Sequence, residues 1–274
     1  MSEFLSRKGV PEGECGVSRH SGVRRRHEEM IGLVRESGFA TIQVLAEYFG
    51  VTPQTVRRDI NHLADQGMLQ RFHGGAGPVS TTENVDYSNR RILCRAEKGA
   101  IGAMVADHIP NRSSLFINIG TTTEEVARSL VGHSGLRVIT NNLNVATILS
   151  KNESIEILVA GGMIRHRDRG IVGESTVDFI RQFKVDFGII GISGIDNDGT
   201  LLDFDYREVR AARAIMENSR NTFLAADHTK FGRNAMVRLG EIHEVDSLFT
   251  DKTPPSSVVD AMDRGEVQLV VPGI

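Results

Sequence analysis

The sequence predicts an α/β chain in two unequal parts. A short N-terminal stretch has helical apolar spacing followed by a hairpin signature, and from Glu97 onward runs of strand length alternate with helical patterns. That alternation predicts a mainly parallel sheet with helices on both faces. At 274 residues the chain is long enough for one small core and one sizeable core.

The small part divides at its glycines. Residues 1–22 hold five glycines or prolines and no period, so a disordered extension is expected there. Residues 23–78 form the first domain. Arg25–Ser37 has Met30, Leu33 and Val34 at helical spacing and ends at Gly38; Thr41–Phe49 has Val44, Leu45 and Tyr48 and ends at Gly50. A third helix starts at Thr52, a good N-cap, with Pro53 in the first turn, where a missing N–H costs nothing. Its apolar stripe is Val56, Ile60 and Leu63, and Gly67 stops it. Met68–Arg71 reads as a strand and His73-Gly74-Gly75 as a tight turn. Three short helices and a hairpin describe a winged helix-turn-helix.

The third helix turns polar groups outward together. Gln54, Arg58 and Asn61 point away from the stripe, with Thr55 and Arg57 on its flanks. Amides, hydroxyls and guanidinium groups read base edges in the major groove and grip phosphates. Arg71 and His73 on the wing suit phosphates or the adjacent minor groove. A charged helix face is often only a solvated face; here the cap, the paired arginines and the basic wing favour double-stranded DNA as partner. The net charge is only −3, close to +1 over residues 1–80 and −4 over the rest. Binding would therefore rest on local clusters, Arg24-Arg25-Arg26, Arg57-Arg58 and Arg71 with His73, within a screening length of about 8 Å. A non-specific coat for nucleic acid is excluded on that charge.

Other classes are excluded by composition. No apolar run approaches the ~20 residues that span a bilayer, and the first residues lack the apolar core of a signal peptide, so a cytoplasmic protein without membrane contact is expected. Two cysteines, Cys15 and Cys94, cannot build a disulfide framework or a zinc site. No metal-ligand spacing, triad order or complete dinucleotide fingerprint is present, so neither metal nor cofactor is expected.

Residues 79–96 are polar and read as a linker, with Tyr87 and Arg90-Arg91 suited to docking it on a neighbour. The second domain, 97–274, opens with helix Glu97–Ile109. Strands are expected at Ser114–Ile119, Arg137–Thr140, Ile155–Ala160, Val185–Gly191, Thr222–Ala226, Ser247–Thr250 and Val267–Val271. Helices are expected at Glu124–Val131, Asn144–Ser150, Ser175–Gln182, Arg207–Asn218 and Ser256–Arg264.

Ligands of such sheets bind at the carboxyl ends of strands. Gly120-Thr121-Thr122-Thr123 follows the first strand and opens a helix, which suits an anion. Simple capping needs one hydroxyl, and three are present. Thr140-Asn141-Asn142 can cap a helix or bond a sugar-like hydroxyl. Gly161-Gly162 allows close backbone approach. Gly191–Asp196 includes Ser193 and Gly194 and has the form of a loop wrapping a ligand. Asp227–Arg233 places Lys230 just beyond a strand, where a phosphate needs a cation.

These strings also carry a resemblance. TPQTVRRDI, GMLQRFHGGA, NIGTTTEEVA, TNNLNVA, GIIGISGID, DFDYREVR and DHTKFGRNAMV resemble the DeoR family of bacterial repressors, and the likeness runs through residues 24–271. It implies a winged helix-turn-helix joined to an α/β effector domain that looks like sugar-phosphate isomerases. It implies a phosphate site at Gly120, Thr121, Thr122 and Lys230, with Asn141, Gly161, Gly162, Ser193, Gly194 and Glu208 lining the polyol end. The implied effector is a phosphorylated polyol, sn-glycerol 3-phosphate foremost, with a fructose or deoxyribose phosphate as alternatives. Family members are often tetramers, so a homo-oligomer is expected. They usually begin near Arg24, which sets residues 1–22 apart. Asn118 stands where the family has Asp, and Ala212 where it has Lys; both remove charge near the expected pocket. The alternative from another class is a sugar-phosphate isomerase with Glu208 or Asp203 as base, but a sensor that consumed its signal would erase it.

Overall fold

Helix α1 (Arg19–Ser37) leads the chain, in a computed structural model that describes residues 19–37, 39–72, 74–79 and 84–272. It begins three residues before the expected end of the extension; residues 1–18 lie outside the described residues, as does His73 of the wing. Strand β1 (Ala40–Thr41), α2 (Ile42–Phe49), α3 (Pro53–Asp65), β2 (Leu69–Phe72) and β3 (Gly75–Pro78) complete the first unit. Its sheet has the order β1-β3-β2 and is antiparallel throughout. Three helices and this wing are the winged helix-turn-helix that the glycines and caps predict. The Thr52 hydroxyl accepts the Thr55 N–H at 3.2 Å, Pro53 sits in the first turn, and Gly50 ends α2 at φ 61°.

The core of this unit is Met30, Val34, Leu45, Val56, Ile60, Leu63 and Leu69. Helix α2 departs from the expected stripe. Val44 and Tyr48 face solvent, and the buried pair is Leu45 and Ala46, because only one side of so short a helix meets its neighbours. A polar clamp joins α1 to α3. Arg26 donates to Asp59 through Nε at 2.7 Å and Nη2 at 3.2 Å, and His27 Nε2 lies 2.9 Å from the same carboxylate. Burial raises the Asp59 pKa, but the bonds from Arg26 and His27 outweigh it and hold the group below its ordinary value.

The expected linker is partly helical. Helix α4 (Tyr87–Ile92) and α5 (Arg95–Asp107) begin inside it, because Tyr87 and a buried Lys98 tie the segment down. The Tyr87 hydroxyl donates to Glu124 at 2.9 Å and accepts from Asn144 at 2.9 Å. The Lys98 ammonium donates to the carbonyls of Arg90 and Leu93 at 2.6 and 2.8 Å.

The second unit continues with β4 (Ser114–Ile117), α6 (Thr121–Leu130), β5 (Arg137–Thr140), α7 (Leu143–Leu149), β6 (Glu156–Val159), β7 (Met163–Ile164), β8 (Ile171–Val172), α8 (Glu174–Ile180) and β9 (Val185–Ile190). There follow β10 (Gly194–Ile195), β11 (Thr200–Asp203), α9 (Tyr206–Glu217), β12 (Ser219–Ala225), β13 (Val237–Glu241), β14 (Ser247–Phe249), α10 (Ser256–Asp263) and β15 (Gln268–Val270). Seven strands form one parallel sheet in the order β15-β14-β12-β9-β4-β5-β6.

Continuous apolar runs build this sheet because both of its faces are covered. Leu115 and Ile117 join Val126, Leu130 and Val145 on the face of α5, α6 and α7, while Phe116 points to the other face with Val177, Ile215 and Val258 of α8, α9 and α10. Ala212 belongs to this second core. It packs among apolar side chains, so its lack of charge serves α9 packing rather than a pocket. Two small antiparallel sheets, β10-β11-β13 and the hairpin β7-β8, were not anticipated. Their strands are two to five residues long, too short for a period to show.

Among the described residues no helix is long and apolar enough to cross a membrane. The Asp59 clamp gives a stability test. Asp59→Ala removes charge-assisted bonds worth roughly 1.5–3 kcal/mol, and thermal unfolding should show the loss. The stabilisation is present above the ordinary carboxylate value and disappears as pH falls through the lower folded-state value, so the gap between the two proteins should narrow in acid.

Candidate functional site

The strand order reverses between β9 and β4, and the candidate ligand site lies there. Chain order runs outward from β4 through β5 to β6 on one side, and from β9 through β12 on the other. Loops leaving β4 and β9 therefore part in opposite directions and open a crevice at their carboxyl ends. Asn118 spans the split: its N–H donates to Ile189 O at 3.1 Å, and its side-chain oxygen lies 3.4 Å from Gly191 N. Asn118 thus ties the ends of β4 and β9 together.

A narrow cleft opens at this point, lined by Arg90, Gly120, Thr121, Thr122, Gly191, Ser193, Asp203, Glu208 and Lys230 among others. Helix α6 begins at Thr121 with no side-chain cap on its N-terminus. Its first N–H groups and the positive end of its dipole favour an anion. Thr123 is a structural member of the triplet, its hydroxyl bonded to the Asn118 and Gly120 carbonyls at 2.9 Å. Lys230 enters from the 3-10 turn His228–Lys230, where Asp227 caps Thr229 N at 3.0 Å. Burial pushes the Lys230 pKa down to about 7 against the pull of Asp227.

The opposite wall is acidic. Burial, then the charge of Asp203, pushes the Glu208 pKa up to about 7, while Arg165 opposes the rise from 2.7 Å. Burial also raises Asp203, whose carboxylate accepts the Ser193 hydroxyl at 3.0 Å and Phe204 N at 2.7 Å. Arg165 ties Glu208 to Asp168 and Asp205. The cleft lining thus combines cations, Arg90 and Lys230, with the hydroxyl of Ser193 and the carboxyls of Asp203 and Glu208.

Six of the expected ligand residues, Gly120, Thr121, Thr122, Ser193, Glu208 and Lys230, meet in this cleft. Four others lie elsewhere. Asn141 donates to Ile171 O at 3.0 Å and holds the β7-β8 hairpin instead. Gly161 and Gly162 are exposed on the turn after β6; Gly161 O accepts the Thr176 hydroxyl at 2.8 Å, and a Cβ on Gly162 would fall 2.3 Å from that same Oγ1. Gly194 lets another loop approach, since a Cβ there would sit 2.0 Å from Arg233 O. Arg90 was missed as a lining residue because it belongs to the segment read as a linker. Its only sequence signal is the Tyr87–Arg91 cluster.

On the first unit, Gln54, Arg57, Arg58 and Asn61 are exposed on α3, and Thr55 is half-buried behind its cap. Arg71 Nη1 donates to Asn61 Oδ1 at 3.1 Å, which fastens the wing to the helix. Arg57, Asn61 and Arg71 also line an open cleft whose far wall is His228, Thr229, Phe231, Gly232 and Lys252.

Cys94, Asp227 and His228 bring potential ligand atoms within 4.8 Å of one another. Burial and Asp227 push the Cys94 thiol up to about 12, Lys98 and Lys230 add positive charge at Asp227, and His228 Nδ1 lies 2.6 Å from Asp251. That charge balance disfavours a dication.

A winged helix-turn-helix joined to a parallel sheet with a cleft at its switch point is the architecture of a ligand-responsive transcription regulator. Residues 26–82 match the DeoR-like helix-turn-helix domain and residues 94–252 the DeoR C terminal sensor domain. The chain is 52% identical over 245 residues to the glycerol-3-phosphate regulon repressor of Escherichia coli (strain K12), covering 89% of this chain and 97% of that one. It is 50% identical over 246 residues to the repressor of the same name from Haemophilus influenzae, covering 90% and 96%. The chain belongs to the DeoR family, and it is a transcription regulator rather than an enzyme. Among solved structures it is similar to ribose 5 phosphate isomerase A of Neisseria gonorrhoeae, with TM-score 0.35 and 12% identity over 49% of this chain and 52% of that one. That likeness is too distant to bear on function.

Proposed function

We propose that this regulator represses genes of glycerol and glycerol-3-phosphate metabolism and leaves its operator when sn-glycerol 3-phosphate fills the switch-point cleft. The observation that carries the reading is the convergence of the uncapped α6 N-terminus, Arg90 and Lys230 on one cleft in a chain with a DNA-reading helix. The names of its relatives point to the same regulon. The phosphate lies against Thr121, Thr122, Lys230 and Arg90, and Ser193, Asp203 and Glu208 take the hydroxyls. Gln54, Thr55, Arg57, Arg58 and Asn61 read the operator, with Thr52 fixing the helix start. Arg71 and His73 hold flanking phosphates. The protein acts in the cytoplasm as a homo-oligomer, since one module reads too short a site. The effector acts by binding more tightly to the conformer that holds DNA poorly.

Calorimetry with sn-glycerol 3-phosphate, with glycerol as the phosphate-free control, tests the cleft. Thr122→Ala and Lys230→Ala each remove a bond worth roughly 1.5–3 kcal/mol, so the phosphate should bind about tenfold to a hundredfold more weakly. Operator affinity without effector should survive. Normal binding by both variants would remove the phosphate assignment; a wild-type response only to another sugar phosphate would change the effector and leave the cleft.

The Lys230 pKa sets a pH dependence. A phosphate monoester is a dianion above about pH 6, and Lys230 loses its proton as pH rises through about 7 in the empty cleft. Affinity should therefore peak between these values and fall on the alkaline side, where Glu208 also becomes charged. Titration near pH 8 in two buffers of different ionisation enthalpy should reveal proton uptake on binding, and Lys230→Arg should reduce it to the share taken up by Glu208. Equal heats in both buffers for the wild type would refute this coupling.

For the operator, Arg58→Ala should cost roughly 1–3 kcal/mol and relax sequence preference if the side chain reads a base. A phosphate contact would instead weaken all sequences alike and flatten the salt dependence. Unchanged operator binding by the Arg57→Ala/Arg58→Ala double variant would remove the recognition-helix assignment.

A further inference from the structure

The loop that gives Lys230 to the ligand cleft has a second face. Gly232 N donates to Ile195 O at 2.8 Å, and Gly194 is pressed against Arg233 O, so the loop is clamped to the strand that follows Ser193. On the other side, Phe231 and Gly232 form part of the cleft shared with Arg57, Asn61 and Arg71 of the DNA-reading face.

Arg233 closes this loop and is buried, with only 2% of its surface exposed. Its Nη1 donates to Ser193 O at 3.1 Å, inside the sensor unit. Its Nη2 donates to Asn84 Oδ1 at 2.9 Å, on the segment arriving from the wing. Asn84 Nδ2 donates to the Ser193 hydroxyl at 3.1 Å, which itself donates to Asp203. The guanidinium lies 5.0 Å from the Phe204 ring, next to Asp203, and 5.5 Å from the Phe72 ring on wing strand β2. Phe72 adjoins Arg71, whose bond to Asn61 reaches the recognition helix.

An arginine can serve this arrangement where a lysine cannot. Its planar fork bonds two acceptors at fixed angles while its faces stack on aromatic rings. One side chain thereby meets the cleft lining at Ser193, the linker at Asn84 and the wing at Phe72.

We infer that Arg233, with Asn84, is the positioning latch that couples occupancy of the ligand cleft to the setting of the wing and recognition helix. The inference rests on the repressor reading given above. A ligand bonding Ser193, Asp203 or Lys230 alters the groups that Arg233 and Asn84 hold, and through Phe72 the same guanidinium meets the wing. Coupling of this kind is reciprocal, so operator DNA weakens effector binding through the same contacts.

The test compares wild type with Asn84→Ala, Arg233→Lys and Arg233→Ala. Two quantities are measured for each: the ratio of operator affinities without and with sn-glycerol 3-phosphate, and the effector Kd without DNA. In Asn84→Ala and Arg233→Lys the ratio should fall to within twofold of one, with the effector Kd within about threefold of wild type. Arg233→Lys keeps the alkyl stem packed between the rings but cannot bridge Ser193 O and Asn84, so it should recover part of the stability lost in Arg233→Ala without restoring the ratio. Amide exchange across Leu69–Phe72, which needs no effector, should speed about tenfold in Asn84→Ala, the equivalent of one hydrogen bond. A wild-type ratio in both Asn84→Ala and Arg233→Lys would overturn the latch. So would unchanged exchange in the wing. A wild-type protein whose operator affinity ignores sn-glycerol 3-phosphate would undo the effector reading instead, and the exchange measurement would still decide the latch.

Discussion

The reversal of strand order between β9 and β4 is the constraint on which the rest of the sensor depends. A parallel sheet leaves all its carboxyl ends on one edge, and only at a reversal do adjacent loops turn apart. Asn118 stitches the two strands just where they diverge. Thr123 folds the β4 loop back on itself, leaving Thr121 and Thr122 to face the cleft. Everything brought from farther away, Arg90 from the linker, Lys230 from beyond β12 and Glu208 from α9, converges on that one gap.

The electrostatics follow from burial at the same place. Burial disfavours charge, so Lys230 drifts toward neutral and Glu208 toward protonated. An anion bound beside Lys230 and Arg90 would draw Lys230 back toward its charged form. A tuned carboxyl pair is also what proton-transfer enzymes use. Here Glu208 is held by Arg165 and Asp203 by Ser193, and a DNA-reading unit is attached. Binding without turnover is what a regulator requires.

Much of the architecture was legible because it rests on local chemistry. Thr52, Pro53 and Gly50 announce helix ends through hydroxyl capping, a fixed φ and a left-handed turn. The buried parallel strands announce themselves as apolar runs. In the cleft, residues beside strand ends, Gly120 to Thr122, Ser193 and Lys230, were readable from that rule. Residues placed by tertiary contacts were not. Arg90 reaches the cleft because Tyr87 and Lys98 dock its helix, and no local pattern reports such docking. Asn141, Gly161 and Gly162 carry the right chemistry after the right strands, but β5 and β6 lie farther from the reversal, and their loops serve the β7-β8 hairpin and α8. The same reasoning explains Ala212: helical spacing alone did not show that its side faces the core.

The central place of β4 has a consequence for how the chain is made. Each later strand of the large sheet joins one that left the ribosome before it: β5 on β4, β6 on β5, β9 on β4, β12 on β9, β14 on β12 and β15 on β14. No strand needs to be inserted between two already paired, so assembly can proceed outward from the middle as synthesis advances. The winged unit, whose contacts are short in sequence, is complete before any of this begins. Lys230 and Arg233 emerge late, after β12. A nascent chain therefore owns its winged unit well before it owns the cleft proposed to release it from DNA.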